Sequence, residues 1–199
     1  KLLISYLIYG AIAFFIICTF TQHLTTDYIE KQEASNLSRE ASIIAGDYAA
    51  EYFGSSMSLS DFQNHMKIVA DYMDAEVWVV SPDGELLMDS DDPSIGIDTQ
   101  NDSSKPVVIN GFDVTDFGSD NYMIGDFYGS FNHKMLSVFS PVNVSYQNIG
   151  YIVIHKTMIH ITAGVNGFMN ISFYTVALIF AVAFILLVMM SRSIYRPIS

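Results

Sequence analysis

The chain has 199 residues, of which 51% are hydrophobic and only 15% charged, and its formal net charge is −12. A uniform soluble domain carries about a quarter charged residues, so the apolar excess is concentrated somewhere, which excludes a wholly soluble protein and a disordered tail. The acidity argues against nucleic acid, whose phosphates require clustered Lys and Arg, and the single cysteine, Cys18, excludes an internal disulfide or a cysteine-based zinc site.

The apolar residues gather at the two ends. Leu2 to Phe20 and Ile171 to Met190 are free of charged residues, and each approaches the roughly 20 residues that a helix needs to cross a hydrocarbon core. Backbone groups in lipid must be satisfied internally, so both runs are expected to be transmembrane helices, within residues 2–21 and 168–190. The first run is longer than a signal-peptide core and lacks a convincing cleavage site. Lys1 flanks the first run, and Arg192 and Arg196 follow the second, whereas the intervening segment holds six basic residues against all 21 acidic ones. The positive-inside bias therefore predicts cytoplasmic termini and an external segment over residues 22–167, in a multi-pass protein of the cell membrane. The first residue is Lys1 rather than Met, which suggests a segment of a longer protein.

In chain order, Thr26 to Phe53 lacks proline and repeats Leu37, Ala41, Ile44, Tyr48 and Tyr52 at helical spacing. This predicts a helix that packs on its own domain or on its copy in a dimer, ended by Gly54, Ser55 and Ser56. Ser60-Asp61-Phe62-Gln63 matches a capping box, followed by a stripe of Phe62, Met66, Val69 and Met73. The period then changes: Glu76 to Val80, the turn Ser81-Pro82-Asp83-Gly84, and Glu85 to Met88 predict a hairpin. Asp89 to Asp120 offers little periodicity and is expected to be a functional loop or to hold short helices. Tyr122 to Tyr128 predicts a further strand, and Lys134 to Val142 and Ile149 to Lys156 predict two more, joined through Asn143 to Asn148. Helices, a hairpin, an irregular crossover and consecutive strands imply an α+β domain around one antiparallel sheet.

Several residues resemble a known family. Ser81-Pro82-Asp83-Gly84-Glu85 with Leu86-Leu87-Met88-Asp89-Ser90 resembles the hairpin of extracytoplasmic PAS-like sensor domains of the single Cache type. Ser137 to Val142 with Asn148 to Ile152 is similar to that family's last strand pair, and Arg192-Ser193-Ile194-Tyr195-Arg196-Pro197-Ile198 looks like the opening of a HAMP linker over residues 191–199. Together these resemble the input half of a bacterial sensor histidine kinase of a two-component system. The resemblance implies a homodimer that senses a small molecule, cation or peptide and controls a cytoplasmic kinase, a transferase acting toward a response regulator. ATP and magnesium are implied for that absent kinase domain and no cofactor for this segment. The alternatives are the input module of a chemoreceptor or cyclase receptor, or a two-span surface binding protein.

No catalytic set emerges: the sequence lacks HExxH, a P-loop lysine motif, GxSxG and CxxC. The acids Asp89, Asp91, Asp92, Asp98 and Asp102 could attract calcium or a cationic peptide, although their spacing does not match an EF-hand. His133 and Lys134 open one expected strand and His155 and Lys156 close the next, so antiparallel pairing would bring them together as a small basic site for a carboxylate. His155 or His160 could titrate near neutral pH. Trp78, Phe139 and Tyr151 are expected in the core, the run containing Phe127, Tyr128 and Phe131 either lines a pocket or packs there, and Trp78 and Tyr128 join His133, Lys134 and His155 as candidate ligand contacts.

Overall fold

The computed structural model describes residues 2–95 and 106–195. Arg196, Pro197 and Ile198 of the expected linker, and the acids Asp98 and Asp102, lie outside the described residues. Two compact units form, one from residues 1–29 with 162–199 and one from Glu30–Ile161.

The first unit comprises the apolar parts of two long helices, α1 (Leu2–Ile43) and α4 (Met158–Tyr195). Both are long and apolar enough to cross a membrane. Within this unit the Phe14 ring meets Phe173 and Phe180 edge-on at centroid distances of 5.5 and 5.4 Å. Gly10 faces the Phe180 ring, leaving no bulk between the helices at that level.

In the second unit α1 continues through Ala34, Leu37 and Ala41, all buried, then widens into a π-helical turn (Ile44–Ala49) before α2 (Ala50–Phe53). Gly54 ends α2, as expected. Helix α3 (Leu59–Met73) buries Phe62, Met66 and Ala70 at three- and four-residue spacing. Its N-cap is Ser58, two residues before the expected Ser60: the Ser58 Oγ accepts the Asp61 N–H at 3.1 Å. Ser58-Leu59-Ser60-Asp61 thus supplies the same Ser-x-x-acid logic one half-turn earlier. The buried stripe shifts with it, to Ala70 in place of Val69 and Met73.

The expected strands are present: β1 (Glu76–Val80), β2 (Leu86–Asp89), β3 (Tyr122–Gly125), β4 (Met135–Val144) and β5 (Gln147–Thr157). They form one antiparallel sheet in the order β2-β1-β5-β4-β3. This sheet with a long helix ahead of it is the α+β arrangement around one antiparallel sheet that the sequence predicts. Gly150 lies where β5 crosses closest to β1, and a Cβ there would come within 2.6 Å of the Val80 carbonyl oxygen.

The strands' period-two alternation divides the core in two. Val77, Val79, Leu136, Val138, Ile152 and Ile154 form the face toward the π-helical turn and α3, where Ser140 and Ser42 meet at 3.3 Å. On that face Lys156 pairs with Glu33 of α1 at 2.5 Å. The opposite face carries Trp78, Val80, Leu86 and Val153, covered by Ile109 and Phe117 of the crossover and by Phe127 from the segment after β3. The described part of the region expected to be irregular thus supplies apolar cover to the sheet, with a 3-10 turn at Val114–Phe117.

Candidate functional site

The second face ends in a set of rings around His155. On β5, His155 lies opposite Ser137 of β4 and Glu76 of β1. It is fully buried, and its Nδ1 lies 2.8 Å from the Ser137 Oγ. Trp78, Phe127 and Phe131 surround it at centroid distances of 4.6, 4.3 and 5.0 Å. Burial among these rings disfavours the charged imidazolium and lowers the His155 pKa to about 3, so the ring is neutral at physiological pH. The His155 Nε2 and the Trp78 Nε1 have no hydrogen-bond partner among the described residues. Leaving a buried polar atom unpaired costs about 1–3 kcal/mol, so both atoms mark a place where a partner from outside the fold would be stabilised.

Beyond the rings lies a cavity of about 360 Å³, bordered by the C-terminal turn of α3, the start of β1 and the end of β5. Its walls include His155, His133, Glu76, Asp71, Asp74 and Asp91. Lys67 reaches Asp71 at 3.0 Å and Asp91 at 3.1 Å, and the hydrogen bonds it donates to these two carboxylates raise its pKa. His160 contacts Asp74, the left-handed C-cap of α3. The Glu76 carboxylate has no hydrogen bond or ion pair among the described residues. Burial first, and then the charges of Asp91 and Asp89, push its pKa up to about 7.

The sequence candidates thus separate. Trp78, His133 and His155 come together at this end of the sheet. Lys134 is exposed and contributes only its carbonyl, which accepts the Met158 N–H at 3.0 Å. Lys156 turns to the helix-covered face. Four carboxylates against one lysine give this cavity a field that opposes a carboxylate ligand. The Tyr128 hydroxyl is committed to the crossover: it accepts the Asp113 N–H at 3.1 Å and lies 2.9 Å from both the Asp113 carbonyl and the Asp116 carboxylate.

Among the acids proposed for a cation, Asp89 accepts the Asp91 N–H at 2.8 Å, and Asp92 accepts the Ser94 N–H at 3.0 Å. The Ser94 hydroxyl holds the Asp92 pKa down, while burial raises that of Asp89. These carboxylates shape the turn after β2, and among the described residues no three His, Cys, Asp or Glu side chains are grouped to hold a metal ion. Sequence reasoning missed Glu76 and Ser137. The available signal was their placement across the strands from a histidine in an otherwise apolar stretch.

No known protein family matches the sequence, and no curated protein does. Among solved structures, the chain is similar to the sensor domain of the V. cholerae histidine kinase DctB, with a TM-score of 0.47 and 12% identity over 77% of this chain and 60% of that one. It is also similar to the sensory domain of the Campylobacter jejuni chemoreceptor Tlp3 with isoleucine bound, with a TM-score of 0.39 and 12% identity over 74% of this chain and 63% of that one. This chain spans about three fifths of the length of those domains.

Proposed function

We propose that this chain is the sensing and transmembrane portion of a homodimeric membrane receptor, whose output is a cytoplasmic histidine kinase acting on a response regulator. Connectivity carries the reading. Helix α1 is unbroken from its apolar run to the buried Leu37 and Ala41, and α4 starts at Met158, directly after β5 ends at Thr157. Among the described residues α1 and α4 each run without a break between the sheet domain and an apolar stretch, which is the route a shift within the domain would take toward the membrane. A ligand can bias such a two-state element only through its differential affinity for the two states. The domain would lie outside the cell with both termini in the cytoplasm, and ATP and magnesium would serve the kinase domain rather than this segment.

Topology and output are tested together. In a Cys18→Ala background, Asp91→Cys should react with an impermeant maleimide in intact cells; labelling only after lysis would overturn the topology. The chain fused to the HAMP linker and kinase of a characterised sensor should change its autophosphorylation when residues 30–161 are deleted. An unchanged rate would overturn the sensory role.

A further inference from the structure

The cavity beside His155 has an electrostatic imbalance that its own side chains do not resolve. Lys67 is shared by Asp71 and Asp91, and His160 is held by Asp74. Glu76 faces the same space with no partner among the described residues, while Asp89 and Asp91 add negative charge around it. The exposed His133 stands at the rim, and neutral His155 closes the buried side. A half-buried carboxylate in a field of like charge is stabilised by an opposite charge brought next to it. The fully buried His155, which also lines this cavity, independently keeps an unpaired Nε2.

We infer that this cavity binds a small organic ammonium ion, its nitrogen held by the Glu76 carboxylate and its carbon chain lying toward Met135 and the Thr157 methyl. The inference deepens the sensory reading by naming a ligand class for the domain. An ammonium suits the site better than the alternatives. A carboxylate would meet four acids, and a metal ion would find no set of three ligating groups among the described residues. The cavity, about 360 Å³, lies toward the small end of the roughly 300–1,000 Å³ spanned by ligand pockets.

Isothermal titration of the full chain in nanodiscs with n-butylamine and with putrescine tests this, with butyrate and calcium chloride as controls. The amines should bind saturably, and Glu76→Gln should weaken them by about tenfold to a hundredfold, the range for losing a charged hydrogen bond. Asp91→Asn should weaken them less, and circular dichroism should show both variants folded. Lowering the pH through about 7 should weaken binding, as Glu76 takes up a proton. Absence of saturable amine binding at millimolar concentrations, equal binding by butyrate, or unchanged affinity in Glu76→Gln would each overturn the inference. If amines fail while the kinase fusion still depends on residues 30–161, the ligand class falls and the sensory reading stands.

Discussion

Glu76 and His155 are cross-strand partners whose ionisation is displaced in ways that make them oppose each other in pH. For His155 the folded pKa of about 3 lies below the ordinary 6.5, so its contribution is complete above about pH 6.5 and declines as the pH falls, because only the unfolded ring takes up a proton. By about pH 5 the loss is about 2 kcal/mol. Glu76 runs the other way. Its folded pKa, raised from 4.5 to about 7, favours folding at low pH, and that advantage is lost as the pH rises from 4.5 through 7. Glu76→Gln should therefore raise the melting temperature by a few degrees at about pH 8 and converge with the parent near its unfolded pKa. Thermal melts across that range check this; an equal or lower melting temperature at about pH 8 would contradict the strained carboxylate. His155, His133 and Trp78 were legible as site candidates because histidines and a lone tryptophan stand out in apolar strands. Glu76 was not, because its character arises from the β1–β5 register and from Asp89 at the end of β2 and Asp91 just after it, neither of which is local to Glu76-Val77-Trp78.

At the scale of elements, local chemistry governs most boundaries. The hairpin around Ser81-Pro82-Asp83-Gly84 and the alternation in β4 and β5 were readable because turn residues and period-two burial act within a few positions. The β4–β5 turn is an exception to favourable local chemistry. Its central residues, Ser145 and Tyr146, both have positive φ, at 50° and 65°, and the Tyr146 side chain is fully exposed. A two-residue turn of this kind favours Asn-Gly, and each ordinary residue held in the left-handed region costs roughly 1–2 kcal/mol. The double substitution Ser145→Asn, Tyr146→Gly should stabilise the domain by about 1 kcal/mol, seen as a higher urea midpoint at constant slope. A lower midpoint would mean that Tyr146 makes a stabilising contact in the membrane-bound protein. The crossover was opaque to sequence because its order comes from tertiary contact: Ile109 and Phe117 follow no local period yet pack, with Phe127 from beyond β3, on the same sheet face. The onset of α3 slipped by two residues because three serines at 56, 58 and 60 offer near-equivalent caps, and packing of Phe62 and Met66 selects among them.

For the molecule as a whole, the π-helical turn at Ile44–Ala49 sits where α1 meets β4 and β5. Such turns contain one residue more than an α-helix needs over the same span. Gly46 lies within it, is exposed, and has open space around its Cβ position. Excising Gly46 would let the turn close at ordinary α pitch while the side chains on its far side keep their seats. The wide turn absorbs that extra residue, so the helix on either side of it would keep its phase, whereas excising one residue from a regular α-helical stretch would rotate its flanks by about 100°. The deletion thus removes the local widening and leaves the sheet chemically intact. In the kinase fusion, an output locked by this deletion would identify the widened turn as a moving part of the signal, whereas normal output would make it a passive joint.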